Sequence, residues 1–191
     1  MDTPSQEVIN DFVLKSHGDM DGVKSLLQQH PSLINASAEW NETPIQAAAH
    51  VANRPMVKFL LEQGAPLDIC TAAMLGMKDR VAQFLRDDPG QSAARGAHGI
   101  PVLFFPALTG EMEIAELLLA HGAEVNAGAG GNTPLHGAAA FGQTEMVRWL
   151  LAHGADPQAL NYDNKTPFEV AQKNGHHAAA DLLRDDQVAS V

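Results

Sequence analysis

Residues 132 to 142 read Asn132-Thr133-Pro134-Leu135-His136-Gly137-Ala138-Ala139-Ala140-Phe141-Gly142. Thr144 to Ala152 follows, then His153-Gly154-Ala155-Asp156-Pro157. Thr133 can cap a helix, and Pro134 suits the first helical position because its missing N–H has no partner there. Ala138 and Ala139 let a neighbouring helix come close. Gly142 ends the first helix where a positive φ is required. A second helix then carries Met146, Val147, Leu150 and Leu151 on one face at helical period, and Gly154 is placed to end it. A pair of this kind has apolar surface on two sides and cannot bury both alone.

The pattern recurs. Aligned on Gly142, the matching positions are Gly18, Ala52, Gly76, Gly110 and Gly175, at successive intervals of 34, 24, 34, 32 and 33 residues. Leucine pairs keep phase at Leu26-Leu27, Leu60-Leu61, Leu117-Leu118, Leu150-Leu151 and Leu182-Leu183. A loop of Gly-Ala plus an acidic residue returns as Gly122-Ala123-Glu124 and Gly154-Ala155-Asp156. The stretch closely resembles the ankyrin repeat, whose signature is Thr-Pro-Leu-His-x-Ala at a period of about 33. The resemblance covers about residues 6 to 184. It implies an all-α solenoid of stacked helix–turn–helix pairs with projecting β-hairpin loops, or fingers.

The expected division is a disordered N-terminus at 1–5, one repeat domain at 6–184 and a tail at 185–191. Residues 6–35 form an N-terminal cap, polar outside to stop the stack. Repeats follow at 36–68, 69–95, 96–126 and 127–160, and 161–184 closes the array as a C-terminal cap. Three departures from the pattern stand out. At 36–68, Ala52 replaces the turn glycine, and Asn53 is expected to take the left-handed conformation in its place. The 24-residue interval leaves no room for a finger between Gln63 and Ile69, so the repeat at 69–95 has lost it. At 96–126, Pro101-Val102-Leu103-Phe104 replaces Thr-Pro-Leu-His, and Pro106 would break the hydrogen bond of a helix starting at Val102. A late or kinked helix is expected there.

Composition narrows the function. A chain of 191 residues with a net charge of −11 suits one repeat array. It lacks the surplus of lysine and arginine that sequence-independent phosphate binding requires. Cys70 stands alone, so no intramolecular disulfide framework exists. No leader pattern opens the chain, and no apolar run approaches ~18 residues. A cytoplasmic monomer, bound to neither membrane nor nucleic acid, is expected.

Nine histidines raise a metal hypothesis, but none has a second ligand at helical or Cys/His spacing. The resemblance assigns His136 to tying its own Thr133 and a neighbouring loop. His121, His153 and His176 occupy positions the repeat favours, and His176-His177 diverge at a helix start. Cys70 aligns with the motif histidine inside a first helix, flanked by Ile69 and Ala72; that setting suits a buried thiol rather than a nucleophile. Gly128-Ala129-Gly130-Gly131 is a loop tip, since no Gly-Lys-Ser/Thr follows it. No catalytic residue, metal ligand or cofactor is assigned.

Ankyrin arrays bind through loop tips and through the two residues before each turn glycine on the concave face. Here those pairs are Ser16-His17, His50-Val51, Met74-Leu75, Leu108-Thr109, Ala140-Phe141 and Lys173-Asn174. The apolar members Val51, Met74, Leu75, Leu108 and Phe141, with the tips Trp40 and Tyr162, form the expected partner-binding row. Burial of part of this row by the irregular central repeats is the competing expectation. The resulting function is non-catalytic protein recognition. The alternatives are a histidine-based metal- or ligand-binding protein or enzyme, and a homo-oligomeric structural protein.

Overall fold

The computed structural model describes residues 4–188. Among the described residues twelve α-helices succeed one another in pairs. They are α1 (Gln6–Lys15) with α2 (Met20–Gln29), α3 (Pro44–His50) with α4 (Arg54–Glu62), and α5 (Ile69–Met74) with α6 (Lys78–Asp87). Then come α7 (Phe104–Thr109) with α8 (Met112–Ala120), α9 (Pro134–Ala140) with α10 (Thr144–Ala152), and α11 (Pro167–Lys173) with α12 (His177–Val188).

Local chemistry sets the length of the inner helices. At α3, α9 and α11 a threonine side chain accepts the backbone N–H of the third helical residue, and that residue's side chain returns the bond to the threonine N–H. Proline stands at the first helical position of each, where its lack of a donor costs nothing. A positive φ closes the other end, as at Gly142 (+66°) and Gly175 (+77°). Pinned at both ends, these three helices run only two turns, and the inner helices stack in chain order, α1 on α3, α3 on α5, α5 on α7, α7 on α9 and α9 on α11. Alanines at 47–49, 72–73 and 138–139 are buried along this seam. One continuous apolar core runs through the stack from Phe12 to Leu183.

The irregular repeats have clear physical causes. From Gln63 the chain reaches α5 without any finger, and Asp68 caps α5 by accepting Thr71 N–H at 2.6 Å. All six residues of α5 are buried. Helix α7 begins only at Phe104, three residues after Pro101, so that Pro106 falls in the first turn, where no hydrogen bond is lost. The remaining fingers are tight, hairpin-shaped turns closed by bonds such as Ala38 N–H to the Glu42 carbonyl (2.9 Å) and Asn161 N–H to the Lys165 carbonyl (3.0 Å). Among the described residues the ladder pairing is a single antiparallel bridge, Arg95 with Pro101.

Two expectations need correction. Ala52 itself adopts the left-handed conformation, with φ +56°. Asn53 has φ −76° and caps α4, its Oδ1 accepting Met56 N–H at 3.2 Å. The cap outcompetes the turn because Asn53 also donates from Nδ2 to the His17 carbonyl at 3.0 Å. At the other end α12 runs on to Val188 instead of stopping near Arg184. Of the expected disordered N-terminus, residues 1–3 lie outside the described residues, while Ser5 caps α1. Of the expected tail, residues 189–191 lie outside them.

Candidate recognition face and fingertips

The seven residues expected to line a partner-binding row separate by position. Met74 and Leu108, the first members of their pairs, have no exposed surface. Both belong to the core, and their assignment to an exposed row is wrong. The reason is the stack itself: Met74 ends a helix packed against α3 and α7, and Leu108 lies on a helix packed against α5 and α9. The second members turn outward. Val51 and Leu75 are half-buried, and Phe141 is 39% exposed as the residue that closes α9.

The tips Trp40 and Tyr162 are exposed, yet both carry structural hydrogen bonds. Trp40 Nε1–H donates to Glu42 Oε2 at 2.6 Å. Tyr162 lies over Gly131, where a Cβ would come within 2.6 Å of its ring. Its hydroxyl donates to the His98 carbonyl at 2.9 Å. The fingertips therefore touch one another along the edge of the array.

His136 performs the structural task expected of it. It is 2% exposed. Nε2 lies 2.9 Å from the Lys165 carbonyl, which can only accept, so Nε2 carries the proton. Nδ1 then accepts from the Thr133 hydroxyl (2.8 Å) and the Thr133 N–H (3.3 Å). Burial holds its pKa below the ordinary 6.5, although the bond to Lys165 pulls the other way. Cys70 is 4% exposed; burial, and secondarily the Asp68 charge, push its thiol well above the ordinary range and leave it unreactive.

The structure also gathers four residues that local spacing could not connect. Around the carboxylate of Glu42, which is 1% exposed, stand His50 Nδ1 at 3.0 Å, His98 Nε2 at 3.3 Å and His17 Nε2 at 3.9 Å from Oε1. The rings of His17 and His50 meet edge to face with centroids 5.0 Å apart, and those of His50 and His98 at 5.3 Å. His17 and His50 were visible in the sequence as concave residues at the ends of successive inner helices. Glu42 and His98 come from fingers that meet only because the repeat between them has none. No motif reports that.

Paired helices of this length, threonine-capped and stacked with fingers on one edge, define an α-solenoid of short helical repeats. A family model described as "Ankyrin repeats (3 copies)" matches residues 69–161 and 131–190, and one described as "Ankyrin repeat" matches residues 40–72. The chain belongs to the ankyrin-repeat family. It is 27% identical over 159 residues to the human SH3 and multiple ankyrin repeat domains protein 2, an alignment that covers 78% of this chain and 9% of that protein. The chain thus spans about a tenth of the curated relative it matches. Ankyrin repeats are generally modules of protein–protein interaction.

Proposed function

We propose that the chain is a non-catalytic recognition module that binds a protein partner through its concave face, with Phe141 as anchor and Leu75 and Val51 further along the array. The observation that carries this reading is the exposure of Phe141 at the end of an otherwise buried inner helix. An aromatic ring left in water at a position the fold does not need for packing fits an interface anchor. Trp40 and Tyr162 extend the surface to the fingertips, while Met74 and Leu108 drop out. The net charge of −11 disfavours nucleic acid as the partner. Among the described residues no helix is long and apolar enough to cross a membrane. The buried free thiol of Cys70 accords with a reducing, cytoplasmic setting, and the module acts as a monomer.

The test is affinity capture from the source cell with wild-type protein and with Phe141→Ala and Leu75→Ala proteins of unchanged thermal stability. A partner retained by wild type and lost by both variants supports the reading. Equal retention overturns the concave assignment. Light scattering on the purified chain checks the monomer.

A further inference from the structure

Glu42 poses a problem of charge. Its carboxylate is removed from water, and burying an unpaired carboxylate is costly enough that proteins neutralise such a group or pair it. Oε2 is satisfied by the Trp40 N–H at 2.6 Å. Oε1 is buried with no donor aligned on it. Among the described residues, its nitrogen partners within 4.0 Å are three imidazoles and neither a lysine nor an arginine. Two of those imidazoles also lie against backbone carbonyls. His17 Nδ1 lies 3.0 Å from the Leu14 carbonyl, so it carries the proton and leaves Nε2 as a lone pair facing Oε1. His50 Nδ1 sits 3.1 Å from the Gln46 carbonyl and 3.0 Å from Oε1; in the tautomer that carries its proton on Nε2, this nitrogen offers a lone pair to the same point. Lone pairs of nitrogen and an anionic oxygen converge on one point, and a positive charge among them resolves the arrangement.

We propose that His17, Glu42 and His50, with His98 as fourth donor, bind one divalent cation of the zinc class. One ligand atom each from His17, Glu42 and His50 lies within 4.8 Å of the other two. Tetrahedral zinc with bonds of about 2.0–2.1 Å sets neighbouring ligand atoms roughly 3.3 Å apart. The separations of 3.0, 3.3 and 3.9 Å around Oε1 bracket that value. Imidazole nitrogen with carboxylate oxygen is a donor set that suits zinc.

The supporting contacts are those a metal site requires. The Leu14 carbonyl orients His17 through Nδ1, and Trp40 fixes the carboxylate. His98 is held at φ +55°, a left-handed conformation uncommon for a residue with a side chain, and Tyr162 anchors its carbonyl. Such strain collects at functional positions. Because His98 sits on a finger with its side chain 43% exposed, it closes the fourth position by a shift of that tip. Bound metal would clasp the first two inner helices to the finger before α7, so its role is structural.

The experiment uses the full chain, stripped with chelator and titrated with zinc by calorimetry and with cobalt(II) by visible absorption. One equivalent per chain is expected, with the intense absorption of tetrahedral cobalt and a rise in Tm on adding zinc. His50→Ala and Glu42→Gln should abolish uptake. His98→Asn, which tolerates left-handed backbone, should weaken it by about 10-fold or more. Trp40→Phe, which removes only the supporting N–H, should weaken it roughly 10–100-fold. His121→Ala changes an exposed ring bonded to its own helix and should change nothing. Circular dichroism checks that each variant is folded, and the fingertip variant His98→Asn decides the matter if His50→Ala is not. The proposal fails if wild type takes up no stoichiometric metal, or if the folded His98→Asn and Trp40→Phe proteins bind as wild type does.

Discussion

Arg54 Nη2 donates to Glu111 Oε1 at 2.6 Å, joining the start of α4 to the cap of α8 across the turn at Gly76. The Glu111 carboxylate lies so close over Gly76 that an added Cβ would meet it at 2.9 Å. The two side chains are 41% and 30% exposed, which limits the strength of the pair. A double-mutant cycle with Arg54→Ala and Glu111→Ala should give a coupling of about 0.5–1 kcal/mol that shrinks in high salt. Measured by urea unfolding, a coupling of zero would mark the pair as ornamental.

Ala52 occupies a position where four of the other five repeat units have glycine at positive φ, at Gly76, Gly110, Gly142 and Gly175. Left-handed backbone costs a residue with a Cβ about 1–2 kcal/mol. Ala52→Gly should therefore raise stability, by roughly 0.5–1 kcal/mol once the added freedom of the unfolded chain is counted. A loss of stability would show that the Ala52 methyl matters more to packing than the strain it carries.

His136→Ala should destabilise the array by about 1–2 kcal/mol near neutral pH, the scale of lost buried hydrogen bonds. The effect should depend on pH. Burial keeps the folded pKa below 6.5, so the unfolded chain takes up a proton that the fold excludes. Wild-type stability then falls as pH drops below about 6.5 toward the folded pKa. His136→Ala lacks that slope. The gap between the two proteins should be widest above pH 7 and narrow toward pH 5, in denaturant titrations run in parallel.

Burial separates the row of apolar residues, and mutation should do the same. Met74→Ala and Leu108→Ala should each cost about 2–5 kcal/mol, since both side chains are fully buried. Phe141→Ala should move stability by no more than ~0.5 kcal/mol. At an interface the same change should cost ~2 kcal/mol or more of partner affinity. A large thermal penalty for Phe141→Ala would return the ring to the core and leave the fingertips as the binding surface.

Much of this fold could be read from the chain because its signals are local and repeated. Thr133-Pro134, Thr166-Pro167 and the turn glycines each report on a few neighbouring bonds, and they recur often enough to check one another. The missing finger and the late start of α7 were legible for the same reason, as a short interval and a misplaced Pro106. Burial at the ends of the inner helices was not. The position of Met74 and Leu108 within their repeats is that of half-exposed His50 and Ala140, and only the packing of α5 and α7 between their neighbours makes them core. Asn53 was misassigned because its cap is reinforced by a tie to the His17 carbonyl, a neighbour in space and not in sequence. The cluster on Glu42 lay furthest from reach, since it joins two helix ends to two loop tips drawn from three repeats.

The absent finger has a consequence for how the molecule opens. A solenoid ordinarily unzips from its ends, because each unit knows only its immediate neighbours. Here Glu42 and His98 face each other, and Arg54 holds Glu111, over the head of the unit that separates them. Those ties skip a link in the chain of stacked pairs. The segment from α3 to α8 should then open as one block, with amide exchange in α3 and α7 following a single rate, while α11 and α12 fray on their own. Interchangeability of units, the ordinary freedom of a repeat protein, is lost in that stretch: nothing can be inserted or removed between Glu42 and Glu111 without parting residues that already meet.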